Sequence, residues 1–254
     1  MISPLFICHG APTLVEEKNK YTNFLKDLGK KLKPKAIVIF TAHWENEVTT
    51  ISAIDGTYDM IYDFYGFPRE LYSKQYPAKG SIELASRVKS LLNYSGIESR
   101  LDNIRGLDHG AWDILYLMYP NADIPVVQVS INPFLAMDKQ YEIGKALEVL
   151  GEEDILVIGS GSTVHNLSTV DWEVEEVEEW ALEFDNWLIE KVENNNIEDL
   201  FNYRNLAKNS IKAVPREEHI VPMFIAMGSG NKLKPKLLHH SYAYGTLSYI
   251  CFEF

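Results

Sequence analysis

The sequence predicts an α/β fold: a single domain over residues 1–254, with a central mostly parallel or mixed sheet flanked by helices. Two observations lead to this prediction. Short apolar runs such as AIVIF and ILVIG lack polar alternation, as is typical of strands that are buried on both faces. These runs alternate with longer amphipathic segments, which is the pattern of a sheet covered by helices. No Pro/Gly/Ser-rich linker or internal repeat divides the chain, so we expect one domain.

Each element is predicted from its own stretch of sequence. Apolar and β-branched runs predict strands at Leu5–Cys8, Ala36–Thr41, Thr49–Ala53, Val126–Ser130, Ile155–Gly159 and Tyr242–Phe252. Amphipathic segments predict helices at Lys20–Lys31, Ser81–Tyr94, Gly110–Tyr119, Asp138–Gly151, Val174–Glu193 and Glu217–Met227. The longest segment without a clear strand, Asp55–Lys79, is rich in Tyr, Phe, Gly and Pro. Such a stretch in a compact domain is usually a functional or lid-like loop.

The acidic run DWEVEEVEEW lies in one of the predicted helices. Val174, Val177, Ala181 and Phe184 recur there at helical spacing, so the glutamates fall mainly on the outward face. We therefore interpret the run as a solvated helix surface and not as a metal site.

Composition and charge exclude several classes of protein. The formal net charge of −12 and the pI near 5.1 argue against a nucleic-acid partner, because such binding depends on clustered Lys and Arg. Only two cysteines occur, Cys8 and Cys251, and neither belongs to a CxxC pair, which argues against a disulfide scaffold or a thiolate zinc site. No signal-peptide pattern and no apolar run of roughly 18 residues is present, so we expect a cytoplasmic protein without a membrane partner.

Three histidines follow predicted strands. His9 in HGAP and His43 in AHWE come directly after apolar runs, and His165 follows ILVIG and the turn GSGST. Ligands of open α/β sheets bind outside the carboxyl ends of the strands, so these imidazoles are expected to lie near one another. The GSGS segment lacks the GxxxxGK[ST] pattern of a phosphate loop. The spacing favours a metal or catalytic site.

Two further histidines have alternative interpretations. His219 in REEHIVP could supply a metal ligand from the start of a helix. Glu217 or Glu218 could instead complete a two-histidine, one-carboxylate site, or simply complement the helix N-terminus. His109 in GLDHGAWD is either a site residue or a loop histidine that bonds Asp108.

The remaining histidine pair and the serines do not suggest a second catalytic centre. His239 and His240 lie outside motifs of this kind, so we expect structural or surface roles. A GxSxG elbow is absent, which argues against a serine hydrolase.

Seven segments, taken together and in order, resemble one known family. They are HGAP, AHWE, YDFYGFP, GLDHGAW, ADIPVVQVSI, GSGSTVHNL and EHIVP, and they span almost the whole chain. The chain resembles the class III extradiol ring-cleavage dioxygenases, of the single-chain DOPA-dioxygenase type.

The resemblance implies a non-haem Fe(II) enzyme that opens a DOPA-like catechol next to its hydroxyls with O₂ and gives a semialdehyde. It implies metal ligands at His9, His43 and His219, a site that Zn(II) can also occupy. It makes His165 the acid/base residue, close enough to be a fourth ligand when zinc is bound. It makes His109 a second catalytic histidine that lines the substrate site.

The residues around the site are less specific. Tyr65, Phe64 and Trp44 are predicted aromatic walls for the substrate ring, although core packing explains each equally well. Arg69 and Arg216 lie near the motifs, but no Lys or Arg sits inside one as an evident carboxylate clamp.

Two alternatives use the same three histidines. A zinc-dependent hydrolase also needs three imidazoles and a water, and spacing alone does not separate hydrolysis from oxygen chemistry. A non-enzymatic metal-binding protein could retain the fold, although a pure scaffold has no need for His165. The ordered motifs favour the dioxygenase, with a small catechol and O₂ as its partners.

Overall fold

A mixed eight-stranded sheet forms the centre of the protein in the computed structural model, which describes residues 1–174, 176–230 and 234–254. The strands are β1 Leu5–Cys8, β2 Ala36–Glu45, β3 Thr49–Ser52, β4 Ser99–Asp102, β5 Val126–Ile131, β6 Ile155–Gly161, β7 Lys236–Ala243 and β8 Leu247–Glu253. Their order across the sheet is β4-β3-β5-β2-β6-β1-β8-β7. The sheet confirms the predicted α/β fold.

Parallel strands occupy the middle of the sheet. Strand β6 pairs in parallel with β2 on one side and β1 on the other, and β2 pairs in parallel with β5. Antiparallel pairs flank this core, β3 against β5 and β8 against β1. Because β1, β6 and β2 are parallel neighbours, their carboxyl ends meet at one edge of the sheet.

Helices cover the sheet. They are α1 Lys20–Lys31, α2 Ile82–Tyr94, α3 His109–Met118, α4 Met137–Lys145, α5 Glu179–Glu193, α6 Ile197–Phe201, α7 Tyr203–Leu206, α8 Ser210–Ala213 and α9 Val221–Gly228. Helix α1 begins where the sequence predicts, since Asn19 and Thr22 form a reciprocal capping box. None of the described helices is both long and apolar enough to cross a bilayer.

Helix α9 lies close against β6, and every residue of the helix is buried. Glycines in β6 permit this approach. A Cβ at Gly159 would lie 2.1 Å from the carbonyl oxygen of Pro222, and one at Gly161 would lie 2.0 Å from that of His219. The glycines of GSGS therefore serve close packing, and they bring the start of α9 to the carboxyl end of the central strands.

Several predicted boundaries differ from the structure. Helix α5 begins at Glu179, so Val174 and Val177 are not part of its buried stripe and are partly exposed. The backbone N–H of Glu178 donates to the carbonyl of Gly245, which fixes the start of the helix. Helix α9 likewise begins at Val221, after a turn.

The remaining differences concern the sheet and one helix. The segment predicted as one last strand, Tyr242–Phe252, instead spans the turn of a hairpin between β7 and β8. The short strand β4 was not predicted. The predicted helix Asp138–Gly151 is α4 followed by a separate 3₁₀ turn at Glu148–Gly151.

Candidate metal centre and substrate cavity

Three imidazoles converge at the carboxyl edge of the central strands. His9 directly follows β1, His43 lies near the end of β2, and His219 precedes α9. The Nε2 atoms of His9 and His43 are 3.1 Å apart, and one ligand atom from each of the three rings lies within 4.8 Å of the others. The structure thus brings together the three residues that the resemblance assigns to the metal.

The other nitrogen of each ring is held by an oxygen. His43 Nδ1 lies 3.0 Å from Asp63 Oδ2, and His219 Nδ1 lies 3.0 Å from Glu218 Oε1. Metal-binding histidines ordinarily use their second nitrogen in this way, which fixes both the tautomer and the ring orientation.

The hydroxyl of Ser160 fixes the tautomer of His9. Ser160 Oγ donates to the carbonyl of Gly110, so it accepts its second bond from His9 Nδ1, at 3.0 Å. With the proton on Nδ1, the lone pair of His9 is on Nε2. The same reasoning places a lone pair on Nε2 of His43, because Nδ1 donates to the carboxylate of Asp63.

When both rings are neutral, two acceptor nitrogens face each other across 3.1 Å. A proton on Nε2 of His43, whose pKa is raised, can bridge them, and a bound metal ion would take the place of that proton. Two nitrogens bound about 2.1 Å from one ion at a tetrahedral angle lie about 3.4 Å apart, close to the separation here. His219 Nε2 is buried and has no hydrogen-bond partner within the described part of the chain. This donor set fits a divalent transition metal.

Burial favours the neutral form of two of the three imidazoles. Desolvation, followed by repulsion from neighbouring imidazoles, holds the pKa of His9 and of His219 well below the ordinary value. Burial acts in the same direction on His43, but the carboxylates of Asp63, Asp108 and Glu218 together outweigh it and raise the pKa of His43. Neutral imidazole is the form that binds a metal.

Asp63 joins two histidines and was not singled out by the sequence. Its Oδ1 accepts from the backbone N–H and Nδ1 of His109, at 3.1 and 2.8 Å, while Oδ2 accepts from His43. Although burial opposes ionisation, these bonds hold the pKa of Asp63 far below its usual range. The only signal in the sequence was the place of Asp63 in YDFYGFP, within the predicted functional loop.

The structure decides between the two interpretations of His109, as a site residue or as a loop histidine that bonds Asp108. Its Nδ1 bonds Asp63 and not Asp108, whose carboxylate instead accepts from Thr41 and Arg105. His109 begins α3 and its ring lies 4.1 Å from that of His43, so it belongs to the site.

The two glutamates before His219 have different partners. Glu218 contacts Nδ1 of His219, whereas Glu217 accepts bonds from Tyr203 and Arg204 and faces away. Glu217 is therefore not the carboxylate of a two-histidine site. Glu218 orients His219 through Nδ1, the nitrogen that faces away from the other imidazoles. Glu218, His165 and His219 also lie close enough together to form a second possible set of metal ligands.

His165 lies flat against His219. The two ring centroids are 3.5 Å apart with an interplanar angle of 12°. Burial lowers the pKa of His165 to about 4, so its ring is a neutral proton acceptor at pH 7. Its ring nitrogens form no hydrogen bond with any described residue, unlike those of the other four imidazoles of the cluster.

A cavity of about 390 Å³ opens above these rings. His9, His43, His109 and His165 line its inner end. Its outer wall is formed by aromatic and aliphatic side chains, namely Pro12, Phe64, Phe67, Leu167, Trp172, Leu247 and Tyr249. Tyr65 lies at the rim and is 92% exposed.

Trp44, predicted as an aromatic wall for the substrate ring, is not among the described residues that line the cavity. Strand β2 continues to Glu45, and successive side chains of a strand point to opposite faces. His43 faces the cavity, so Trp44 faces away from it, buried beneath the guanidinium of Arg105 at 4.9 Å from the ring centroid. Trp44 lies outside the main hydrophobic core cluster, and its ring packs against Arg105.

Comparison with known proteins identifies the family. The sequence model of one protein family, described as the catalytic LigB subunit of aromatic ring-opening dioxygenase, matches residues 5–254 of this chain. A 4,5-DOPA dioxygenase extradiol of Beta vulgaris is 41% identical over 255 residues, covering 98% of this chain and 95% of the relative. An Escherichia coli K12 protein of the same name is 38% identical, covering 91% of this chain and 86% of the relative.

A solved structure shares the fold of this chain. The crystal structure of an uncharacterized Escherichia coli K12 protein superposes with a TM-score of 0.85 at 31% identity, with complete coverage of both chains. The resemblance found in the sequence is thus confirmed. The chain belongs to the LigB family and is a metal-dependent extradiol ring-opening dioxygenase, which acts on a small aromatic molecule and O₂.

Proposed function

We propose that this enzyme opens the ring of a catechol next to its two hydroxyls and releases a semialdehyde, with Fe(II) held by His9, His43 and His219. One observation carries this proposal. One ligand nitrogen from each of the three imidazoles converges on one place, while each Nδ1 is held by Ser160, Asp63 or Glu218.

Three protein ligands fit a metal that must also accept substrate. Bound Fe(II) would supply open coordination positions and the redox capacity that O₂ chemistry needs. The same three imidazoles are suitable ligands for Zn(II), so we propose that zinc can occupy the site as well. The neutral ligand set leaves the metal's positive charge uncompensated, which favours binding of an anionic catecholate.

We propose that His165 acts as the acid/base residue. It lines the cavity beside the ligand His219, and neither of its ring nitrogens is engaged by another described side chain. It can therefore accept a proton from a catechol hydroxyl and later return it to an oxygen of the product. With zinc bound, the same position could make His165 a fourth ligand.

His109 and Tyr65 are proposed substrate contacts. The Asp63 carboxylate orients the ring of His109 from Nδ1, which leaves Nε2 directed away from that carboxylate. We assign His109 to a hydrogen bond with bound substrate or oxygen. Tyr65 lies at the cavity rim, where its ring can cover the outer part of a substrate.

Oxygen dependence tests this function against zinc hydrolysis and against metal binding without catalysis. The apo protein is loaded with Fe(II) under nitrogen, mixed with 4-methylcatechol or L-DOPA, and then exposed to O₂. A yellow ring-opened product that forms only after O₂ is admitted is the expected result, with a zinc-loaded sample as the control. No ring cleavage of either catechol, with iron confirmed bound, contradicts the proposal. Neither catechol has a bond that a zinc hydrolase would cleave, so an ester such as 4-nitrophenyl acetate is assayed in parallel, and its hydrolysis by the zinc form without O₂ would favour a hydrolase.

We infer a cytoplasmic location from the cysteines. Cys8 and Cys251 are both free and buried, which suits a reducing compartment where thiols are not oxidised. Fractionation of the source cells with a soluble cytoplasmic marker tests this inference, and enrichment in another fraction contradicts it.

A further inference from the structure

Two hydroxyl groups in the wall of the cavity have no hydrogen-bond partner. Ser248 and Tyr249 line the cavity, and their exposed fractions are 1% and 2%. Neither hydroxyl oxygen forms a hydrogen bond with any residue that the structure describes. A buried hydroxyl that is left unpaired is destabilising, so most such groups in folded proteins bond to protein, water or a ligand. Two of them in one cavity wall indicate a place where a bound molecule supplies the partner.

Other polar side chains of the lining are already engaged. Ser162 Oγ donates to the carbonyl of Val164 at 3.1 Å, and both carboxylate oxygens of Asp63 accept from histidine nitrogens. No Lys or Arg occurs among the described residues that line the cavity. Outside the imidazole cluster, Ser248 and Tyr249 are therefore the buried side chains of the described lining that still have a proton to donate.

Neighbouring elements fix the ring of Tyr249. Strands β1 and β8 are antiparallel with Ile7 opposite Cys251, and continuing this register places His9 opposite Tyr249 on the same face of the sheet. The ring of Tyr249 stacks on that of Tyr21, with centroids 4.5 Å apart and an interplanar angle of 9°. A ring that is locked by packing holds its hydroxyl in one place, as a group that positions a substrate must.

The Tyr249 hydroxyl lies beside the metal-binding atoms and not among them. A Cβ at Gly10 would lie 2.7 Å from Cε1 of Tyr249 and 3.2 Å from its hydroxyl oxygen, so the end of the ring lies against the backbone that follows His9. Nε2 of His9 is at the far end of that side chain, 3.1 Å from Nε2 of His43. The two hydroxyls of β8 therefore face a part of the cavity next to the metal centre.

We infer that Ser248 and Tyr249 determine substrate specificity by donating hydrogen bonds to an oxygen acceptor on the ring substituent of the catechol. The inference rests on the proposed function, because it takes the two catechol hydroxyls to be bound at the metal. The substituent then extends along the wall that β8 forms, where the two neutral hydroxyls meet a carbonyl or carboxylate oxygen.

A matched pair of uncharged compounds tests the inference. The compounds are 3-(3,4-dihydroxyphenyl)propanamide and 4-(3-methylbutyl)catechol, which share a shape but end in an amide and in two methyl groups. Calorimetric titration of the metal-loaded enzyme under nitrogen gives a Kd for each compound with the wild type and with Tyr249→Phe. We expect the substitution to weaken binding of the amide about tenfold and to leave binding of the alkyl compound nearly unchanged.

Ser248→Ala should weaken the amide selectively as well. The control is Tyr242→Phe, which removes a hydroxyl of the same hairpin that bonds Asp185 outside the cavity lining, and it should change neither Kd. Equal weakening of both compounds by Tyr249→Phe overturns the inference, because the hydroxyl would then act on the catechol itself or on the fold. An amide whose Kd is unchanged by Tyr249→Phe, or that does not bind, also overturns it.

Stability supplies a readout that separates ligand binding from a structural role. Because Tyr249→Phe deletes a buried hydroxyl without a protein partner, the variant should unfold at or above the wild-type temperature. A lower unfolding temperature would make the hydroxyl a structural group and overturn the inference. If neither compound is cleaved once O₂ is admitted to the Fe(II) enzyme, the proposed function fails. The Kd values, which are obtained under nitrogen without turnover, still decide the inference.

Discussion

Histidines occur in two regions of this protein, and the difference between them lies in which ring nitrogen remains free. At the metal centre, Nδ1 of His9, His43 and His219 is held by oxygen, and Nε2 faces the other imidazoles. In strand β7, Nε2 is the nitrogen that is engaged. His239 Nε2 contacts Ser241 Oγ at 2.7 Å, and His240 Nε2 contacts Asp185 Oδ2 at 3.2 Å.

A lowered pKa does not distinguish the two regions. Burial, and then the charge of His240, lowers the pKa of His239, just as burial lowers the pKa of His9. What distinguishes the candidate metal centre is geometry, because one nitrogen of each of its three rings points to the same place. The comparison teaches that a partner on Nδ1 leaves Nε2 free to face the cavity or a metal, which neither burial nor a lowered pKa shows.

Removing a ligand imidazole is expected to have the largest effect. His9→Ala deletes a nitrogen whose outer partner is the neutral Ser160 hydroxyl, so no buried charge is left unpaired. Metal affinity should fall by more than the roughly 10–100-fold that outer partners contribute, and turnover should be abolished. Metal analysis after dialysis against a weak chelator measures this. A variant that retains one equivalent of metal would remove His9 from the ligand set.

Removing the acid/base residue should separate catalysis from metal binding. We expect His165→Ala to keep its metal and to lose about 10²–10⁴-fold in kcat, the usual contribution of a positioned acid/base group. Iron content and kcat are measured on the same preparation. Loss of metal would instead make His165 a ligand, and unchanged kcat would exclude it from proton transfer.

Weakening an outer partner should have a smaller effect. Asp63→Asn removes the charge that orients both His43 and His109, so metal affinity should fall by about 10–100-fold. Competition with a chelator of known affinity measures the change. Asp59→Asn, four positions earlier in the same loop, is the matched control and should retain wild-type affinity. Equal affinity in the two variants would show that Asp63 is not needed to hold the metal.

Removing Asp185, which contacts His240 and Tyr242 of the β7–β8 hairpin, should lower the free energy of unfolding and leave metal binding unchanged. Asp185 is fully buried and accepts from Thr163 at 2.7 Å and Tyr242 at 2.8 Å, besides its contact with His240. Asp185→Ala leaves these groups without a partner, so the free energy of unfolding should fall by about 3 kcal/mol. Urea denaturation measures this, and an unchanged midpoint would contradict the structural role.

The smallest effect is expected at His239. Its ring packs on Phe24 and bonds Ser241, outside the cavity, so His239→Ala should cost about 1 kcal/mol of stability and leave kcat unchanged. A large loss of turnover would contradict the distinction between the two regions.

The central strands were predictable because burial on both faces makes their sequences almost wholly apolar. Strand β4 was not, since Arg100 and Leu101 are exposed at the edge of the sheet and leave no such run. The predicted start of α5 lies too early in the chain. Val174 and Val177 keep helical spacing on the N-terminal side of Glu178, but the backbone hydrogen bond of Glu178 fixes the start of the helix after them.

The site was predictable where a histidine follows a strand, and not where a contact joins distant segments. Asp63 lies in a loop without periodicity, and its partners His43 and His109 come from a strand and a helix. Trp44 was predicted to line the substrate site, but β2 continues beyond its apolar run. Successive side chains of a strand point to opposite faces, so the indole of Trp44 lies on the face opposite His43.

The pairing of β1 has a consequence for how the enzyme matures. Both neighbours of β1 are made late: β6 begins at position 155, and β8 begins at position 247. His9 therefore emerges early from the ribosome but has no fixed position until most of the chain has been synthesised, and His219 also arrives late. A metal ion that needs His9 and His219 together would therefore be bound only after nearly the whole chain has been made.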